Sequence, residues 1–153
     1  MRKLVNRVDH VAYICEYANI AAHVAEVEKV LDIKLEHFDR TDMGLVVYYN
    51  MAAGIEVVAP LPERSAANAG FYARLEAQGE GVLGVVFGVK GLDDHKARLE
   101  AMGYPVGDLI DQAHSPWREK VTLRQRPVPS LVNCMMLLGE NDYADDMLDI
   151  AQS

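Results

Sequence analysis

Two side chains in the first half of the chain have the chemistry that proton transfer or metal binding requires. His10 lies in the run Val8–Ile14 and Glu56 in the run Gly54–Pro60, and both runs are rich in apolar residues. A carboxylate among apolar residues has to be paired or protonated, because an isolated buried charge is costly. An apolar environment also raises the pKa of a carboxyl group, and a nearby histidine can then share in moving the proton. We therefore predict that Glu56 and His10 are catalytic residues.

The second half of the chain repeats this pattern without the two chemical groups. Aligning the halves by their apolar runs puts Gly84 at the position of His10 and Met136 at the position of Glu56. Glycine has no side-chain ligand, and the thioether of methionine is a poor match for hard divalent cations. Met136 is instead predicted to contribute to the apolar floor of a substrate pocket.

Basic side chains recur at even positions of one segment in the second half. If that segment is a single strand, side chains of equal parity point to the same face. Arg124 and Arg126 are therefore predicted to bind the anionic end of a substrate, since guanidinium groups hold carboxylates and phosphates well. A solvated edge strand, charged to oppose aggregation, is the alternative, and it stays open for Arg118 and Lys120.

Three more residues are predicted to line or cover the pocket. Tyr48 is favoured over its neighbour Tyr49 because it has the parity of Val46, which is assigned to the pocket face of the same strand. His114 and Trp117 belong to a loop that could close over the mouth of the pocket. His114 would act there as a substitute ligand or an acid, although a histidine in such a loop is more often a surface residue.

Composition limits the partners of the protein. The 153 residues carry a formal net charge of −8, which argues against nucleic acid and anionic membranes as general partners. Cys15 and Cys134 each lie in an apolar run, as reduced core thiols do, so we expect a cytoplasmic protein. The sequence predicts neither a signal peptide nor a membrane-spanning segment. A small molecule remains as the expected substrate or ligand.

The periodicity of apolar residues predicts a βαβββ arrangement that occurs twice. The first half is predicted to hold a helix over 20–31, capped by Asn19, and strands over 8–15, 33–38, 44–50 and 54–59. A connector helix is predicted from a cap at Ser65 to about residue 77. The second half is predicted to hold a helix over 92–102 and strands over 82–89, 106–110, 119–126 and 131–138.

These elements are assigned to one domain that covers residues 1–153. It divides into a first module at about 6–60, a connector at about 61–80, a second module at about 81–140 and a C-terminal tail at 141–153. Apolar residues of the tail recur at rough helical spacing. The tail is therefore a docking helix, a helix that contacts a partner, or a frayed end, and the sequence leaves these three open.

The sequence resembles the vicinal oxygen chelate superfamily, which includes glyoxalase I, bleomycin-resistance proteins, extradiol dioxygenases and methylmalonyl-CoA epimerase. The resemblance rests on the run Asp9–Ala12 at the start of the first repeat, the run Glu56–Leu61 at its end, and the connector that follows. The connector and the opening of the second repeat are most similar to the epimerase branch. The resemblance implies an α+β fold in which two βαβββ modules form a curved, cup-like mixed sheet with helices on its outer face.

The resemblance also implies a divalent metal held by a histidine and a carboxylate or glutamine from each half. His10 and Glu56 match two of these ligands, whereas Gly84 and Met136 stand where the other two would be. We therefore expect no metal, with a divalent ion on His10 and Glu56 as the alternative. Members of the superfamily commonly pair, so a homodimer is expected.

Three functions are consistent with these residues. The first is metal-independent isomerase or lyase chemistry, by acid–base catalysis, on a carbonyl- or carboxylate-bearing and partly hydrophobic substrate. The second is non-catalytic binding of a small molecule, as in the bleomycin-resistance proteins. The third is a divalent-metal enzyme with a reduced ligand set, in which His114 would assist. Two protein ligands hold a divalent ion weakly, which favours the first two functions over the third.

Overall fold

The computed structural model describes residues 2–110 and 119–148, and it has the predicted α+β composition. The chain divides into two compact units. A central unit consists of Ala12–Leu83, and a terminal unit combines Met1–Val11 with Gly84–Ser153. Among the described residues, no helix has the length and hydrophobicity of a membrane-spanning segment. The predicted bounds of the two modules stay a prediction.

The central unit contains a small sheet with two helices. Its elements in chain order are the end of β1 (Arg7–Ile14), α1 (Ile20–Leu31), β2 (Glu36–Arg40), β3 (Leu45–Asn50), β4 (Ile55–Pro60) and α2 (Ala69–Gln78). The strands lie in the order β2-β3-β4-β1, and the pairs β2–β3 and β3–β4 are antiparallel. The predicted helix over 20–31 is confirmed, because Ile20, Val24 and Val27 recur at helical spacing and pack on the sheet. The predicted cap is wrong, because the Asn19 side chain makes no capping hydrogen bond and donates to Glu80.

The core of the central unit fixes which face of each strand is turned towards α1. The buried cluster joins Ile20 and Val24 of α1 to Val46, Val57 and Ala59 of the sheet. Val46 was assigned to the pocket face from the sequence, and this assignment is wrong, because its side chain packs in that cluster. Side chains of the opposite parity on β3 and β4 therefore point away from α1.

The terminal unit repeats the arrangement with differences at its edge. Its elements are the start of β1, β5 (Gly81–Gly88), α3 (Leu92–Ala101), β6 (Val121–Thr122), β7 (Gln125–Leu131), β8 (Cys134–Gly139), β9 (Asp142–Tyr143) and α4 (Asp145–Leu148). The sheet order is β1-β5-β8-β7, with β5 and β8 parallel and β7 and β8 antiparallel. Strands β6 and β9 form a separate antiparallel pair.

The strand predicted over 119–126 is not one strand. It ends at Thr122, and a new strand begins at Gln125, so the basic side chains do not share one strand face. Strand β7 contains Pro127 and Pro129, which have no backbone N–H to donate. Both are tolerated because β7 is the edge strand of the sheet. The strand predicted over 106–110 is reduced to one bridge between Ile110 and Gln125.

Asn68 organises the loop between β4 and α2. Its side chain is fully buried, its Oδ1 accepts a hydrogen bond from the backbone of Ser65, and its Nδ2 lies 2.9–3.3 Å from the carbonyl oxygens of Gly44, Leu61 and Glu63. Ser65 was the predicted cap of this helix, but α2 begins four residues later, after Asn68. The side chain of Asn68 therefore contributes hydrogen bonds to four backbone groups of this loop and of the preceding turn.

We expect Asn68→Ala to lower the free energy of unfolding by about 2–4 kcal/mol, because it removes the hydrogen bonds of a fully buried side chain and leaves a cavity in its place. Asn50→Ala is the matched control, since the Asn50 side chain also forms hydrogen bonds with the backbone, at two groups, but is only half-buried. Its loss should be about 1 kcal/mol. Urea denaturation of both variants measures the difference, and equal losses would contradict the role given to Asn68.

Candidate functional site

His10 lies in a buried polar cluster at the start of β1. Its side chain is 3% exposed, and its Nδ1 lies 2.7 Å from Oδ1 of Asp9. The hydroxyl of Tyr143 donates a hydrogen bond to the same Asp9 oxygen. Asn141, also buried, places its Nδ2 3.5 Å from the Tyr143 hydroxyl. We call these four residues the Asp9 cluster.

The partners in the Asp9 cluster determine what His10 can do. An ionised carboxylate only accepts hydrogen bonds, so the Nδ1 of His10 is the donor to Asp9. In the neutral ring the lone pair then lies on Nε2, which is the nitrogen able to accept a proton. Asp9 also stabilises the imidazolium that forms when Nε2 is protonated. This arrangement is typical of histidines that carry protons.

Tyr143 reaches Asp9 because two backbone pairings hold it in place. Strand β9 pairs Tyr143 with Val121 of β6, and the backbone of Tyr143 also exchanges two hydrogen bonds with Arg2, at 2.7 and 2.8 Å. The side-chain oxygen of Asn141 accepts a hydrogen bond from the backbone of Arg124. The first residues of the predicted tail thus belong to the terminal unit. For residues 141–143 this corrects the predicted alternatives of a docking helix, a partner-contacting helix and a frayed end.

Glu56 belongs to a row of titratable side chains that crosses three strands of the central unit. Tyr49 is the register partner of Glu56 on one side and of Glu36 on the other, so the three share a face. The Tyr49 hydroxyl donates to Oε2 of Glu36 at 2.8 Å. Burial and this carboxylate raise the pKa of Tyr49. We call Glu36, Tyr49 and Glu56 the Tyr49 row.

The preference for Tyr48 over Tyr49 is therefore wrong. Tyr48 packs against the core cluster that contains the helix α1 residues, and its ring is stacked on His37 with 4.7 Å between the centroids. Tyr49 has the parity of Glu56 across the antiparallel pair. The error follows from the wrong face assigned to Val46. Because Tyr48 is two residues further along the same strand, alternation assigned Tyr48 to the same wrong face.

The two repeats can be aligned through equivalent backbone hydrogen bonds. The bond from Cys15 N to Val58 O, at 3.0 Å, comes directly after β1, and the bond from Val89 N to Gly139 O, at 2.8 Å, comes directly after β5. Counting back from these bonds puts Gly84 at the position of His10, as predicted. The counterpart of Glu56 is then Leu137.

The predicted equivalence of Met136 with Glu56 is wrong by one residue. Gly84 is in register with Met135, and a methyl group added to Gly84 would lie 2.8 Å from the end of that methionine side chain. Met136 instead lies opposite Val128 of β7, on the other face of its strand. Leucine has no donor atom, so the second repeat still lacks a counterpart for Glu56.

The residues present do not fit the four-ligand metal cage that the resemblance implies. The two positions that would complete it are Gly84 and Leu137, and neither side chain has an atom that binds a cation. Within residues 2–110 and 119–148, no group of three or more His, Cys, Asp and Glu side chains is arranged to hold a metal ion.

The two arginines predicted to clamp a substrate are paired with acidic residues of the terminal unit. Arg124 donates to Glu140 at 3.0 Å and to Asp93 at 3.1 Å. Arg126 donates to the carbonyl of Gly107 and lies 3.7 Å from Asp93. Asp93 is in the first turn of α3, so both guanidinium groups lie beside that helix. This pairing corrects the prediction that Arg124 and Arg126 bind the anionic end of a substrate.

Glu140 joins this ion-pair group to the start of α3. Its carboxylate accepts hydrogen bonds from the backbone N–H groups of Gly91 and Leu92, at 3.0 and 3.1 Å. The bond from Gly91 is the largest cause that lowers the pKa of Glu140 to about 2, with further lowering from Leu92 and Lys3. Glu140 thus replaces the side-chain cap that Gly91 lacks.

Of the other predicted pocket residues, His114 and Trp117 lie outside the described residues, as does Arg118. Tyr143 and Asn141 were missed, although both belong to the Asp9 cluster. Glu36 was missed as a member of the Tyr49 row. The available signal for Tyr143 was its type, because a tyrosine near an apolar segment commonly packs its ring and hydrogen-bonds its hydroxyl.

We expect Glu140→Gln to reduce stability at pH 7 by roughly 2–3 kcal/mol, since the neutral amide replaces a carboxylate with a lowered pKa. The folded pKa lies below the unfolded one, so the stabilisation is present above about pH 4.5 and is lost as the pH falls towards 2. The variant should therefore lose less stability than the original protein across that range. Glu119→Gln, at an exposed position, is the control. Parallel stability–pH curves from urea denaturation would contradict the cap.

Comparison with known proteins shows a shared fold. No family model and no curated protein matches the sequence. A methylmalonyl-CoA epimerase from Mycobacterium tuberculosis matches with a TM-score of 0.64 at 20% identity, over 92% of this chain and 91% of that chain. A hypothetical protein from Bacillus halodurans matches with a TM-score of 0.68 at 17% identity, over 88% and 93%.

The epimerase from Streptomyces coelicolor, in complex with 2-nitronate-propionyl-CoA, matches with a TM-score of 0.64 at 17% identity, over 90% of this chain and 98% of that chain. Methylmalonyl-CoA epimerases belong to the vicinal oxygen chelate superfamily, so the predicted resemblance is confirmed at the level of the fold.

Proposed function

We propose that this protein is a small-molecule isomerase that moves a proton at carbon with its own side chains. The observation that carries the proposal is the buried pair of His10 and Asp9, completed by Tyr143. Buried polar groups of this kind are costly, so packing alone gives little reason to keep them. The structures with the same fold include several epimerases, which supports an isomerase over other reaction types.

In the proposed reaction, Nε2 of His10 removes a proton from the carbon next to a substrate carbonyl. The electrons of that C–H bond pass into an enolate, and the ring becomes an imidazolium. Asp9, 2.7 Å from Nδ1, stabilises this cation in a buried environment where such a charge pair is strong. Return of a proton to the intermediate gives the isomer and restores the neutral ring.

Glu56 is the second proposed acid–base residue. Its place in the Tyr49 row supports the proposal, because a phenol and a carboxylate lie on its own face of the sheet. Tyr49 is 4% exposed, so this part of the row is shielded from water. A carboxylate can act as a general acid or base when a substrate proton lies within hydrogen-bond reach.

The proposed substrate is a carbonyl- or carboxylate-bearing, partly hydrophobic small molecule. A carbonyl acidifies the hydrogen on the neighbouring carbon, which is the hydrogen that a histidine base can remove. One of the epimerases with this fold is solved with methylmalonyl-CoA. Acyl-CoA thioesters are therefore the first compounds to test. The arginine pair has no part in this proposal, since Arg124 and Arg126 contact Asp93.

A non-catalytic binding protein is the second candidate function. The observation that favours it is the absence of donor side chains at Gly84 and Leu137, where the second repeat would otherwise supply chemical groups. A binder needs an apolar surface of suitable shape and no proton carrier. The predicted homodimer and the predicted cytoplasmic location stay proposals alongside either function.

Solvent exchange distinguishes the isomerase from the binder. We expect the protein to incorporate deuterium from D2O next to the carbonyl of methylmalonyl-CoA or of a related acyl-CoA, as measured by mass spectrometry. His10→Gln and Glu56→Gln should each slow this exchange by about 10²–10⁴-fold, because each removes an acid–base group. His37→Gln is the control, since that histidine is exposed and bonds Asp39.

Two outcomes of the exchange experiment would count against the isomerase. Exchange at an undiminished rate in both His10→Gln and Glu56→Gln would exclude the proposed acid–base groups. Thermal stabilisation by a carbonyl compound, with no exchange on prolonged incubation, would favour the binder.

Tyr143→Phe and Asp9→Asn test how His10 is positioned. We expect Tyr143→Phe to lower kcat about tenfold through a less well held Asp9. Asp9→Asn should lower kcat by about 10²–10⁴-fold and move the acidic limb of the pH–rate profile to lower pH, because the imidazolium loses its anionic partner.

Tyr104→Phe is the matched control for Tyr143→Phe, because Tyr104 is 49% exposed. Circular dichroism and melting temperatures are recorded for every variant, so that a loss of folding is not mistaken for a loss of catalysis. A pH–rate profile that Asp9→Asn leaves unmoved would contradict a positioning role for Asp9.

A further inference from the structure

A cavity of about 380 Å³ lies within the central unit, and none of its lining residues has a role in the proposed proton transfer. Its walls come from the end of β1, from α1, from β4 and from the start of β5. Tyr13, Cys15, Val27 and Val57 supply most of the apolar lining, and His23 and Glu80 supply polar groups. The volume is within the range of small-molecule sites, about 300–1,000 Å³.

The cavity presents an aromatic and aliphatic wall to a ligand. Tyr13 is 39% exposed and lines this cavity. Burial raises the pKa of Cys15 to about 11, so its thiol is uncharged at neutral pH and behaves as an apolar group. A flat apolar molecule can therefore pack between the tyrosine ring and the valine side chains.

One side chain pair gives the cavity a polar end. Nε2 of His23 lies 2.9 Å from Oε2 of Glu80. The other carboxylate oxygen accepts hydrogen bonds from the Asn19 side chain, at 2.7 Å, and from the backbone of Glu16, at 2.9 Å. The bond from Asn19 is the first of the causes that lower the pKa of Glu80 to about 2.

The charge of Glu80 determines which ligand atom His23 can receive. A carboxylate accepts, so Nε2 of His23 donates its N–H to Glu80, and in that tautomer Nδ1 is the ring nitrogen with acceptor capacity. A ligand hydroxyl can donate to that nitrogen. A ligand carboxylate would instead be repelled by Glu80, because two like charges close together at a half-buried site cost free energy.

We propose that this cavity is a second binding site, specific for an uncharged aromatic molecule with a hydroxyl group. The ring system packs against Tyr13, Val27 and Val57, and the hydroxyl donates to His23. The proposal stands apart from the isomerase reaction, since it needs neither His10 nor Glu56. A ligand held here by α1 and β4 stabilises the central unit by mass action.

The test uses 2-naphthol, naphthalene and 2-naphthoate as probes of one ring size. Isothermal titration with the full-length protein should show 2-naphthol binding about tenfold tighter than naphthalene, the value of one hydrogen bond, and 2-naphthoate binding more weakly than either. Amide chemical shifts of the original protein should change at the residues that line the cavity. Binding of 2-naphthoate as tight as that of 2-naphthol, or shifts confined to other residues, would overturn the proposal.

Two substitutions on α1 provide a matched pair. Val27→Trp fills the cavity and should abolish 2-naphthol binding. Val30→Trp adds the same ring at a position that is 71% exposed and should leave binding unchanged. His23→Phe should remove the preference for 2-naphthol over naphthalene. Equal affinity of Val27→Trp and the original protein for 2-naphthol would overturn the proposal, and the shift map decides the case if Val27→Trp does not fold.

Discussion

The burial of Asp9 is the constraint on which the terminal unit depends. A carboxylate that is 5% exposed must have its charge balanced by hydrogen bonds, or it would destabilise the fold by several kcal/mol. His10 and Tyr143 both direct their donor groups at one of its oxygens. The position of the Tyr143 hydroxyl in turn requires strand β9, and β9 requires its pairings with β6 and with Arg2. The hydrogen bonds to this one carboxylate thus connect the N-terminal and the C-terminal segments of the terminal unit.

The two repeats show how one scaffold can hold different chemistry at equivalent positions. In the first repeat a histidine and a glutamate stand at the positions where the second has Gly84 and Leu137. The charged residues of the second repeat are used for structure instead, because Glu140 caps α3 and Arg124 pairs with both Glu140 and Asp93. The fold is therefore evidence about geometry, and the reaction has to be argued from individual side chains.

The sequence predicts local structure well and relations between distant segments poorly. Helix α1 and strands β1, β3 and β4 follow from apolar spacing that each segment carries by itself. The predicted face of Tyr48 and the predicted counterpart of Glu56 were both wrong. Alternation shows which side chains of one strand share a face, but it does not give the register between strands. The prediction that the basic side chains share one strand face was wrong because Leu123 and Arg124 separate two strands, and alternation does not continue across that break. The contact of Tyr143 with Asp9 could not be predicted at all, since no local pattern connects residues 134 positions apart.

The contact between Asp9 and Tyr143 has a consequence for the timing of folding. Contacts between residues far apart in sequence form late, because the intervening chain must be ordered first. During synthesis the first repeat emerges from the ribosome and can collapse while Tyr143 has not yet been added. Nascent chains that have folded only their first repeat would hold an Asp9 without its tyrosine. The hydrogen bond between these two side chains therefore forms only after β9 has been synthesised.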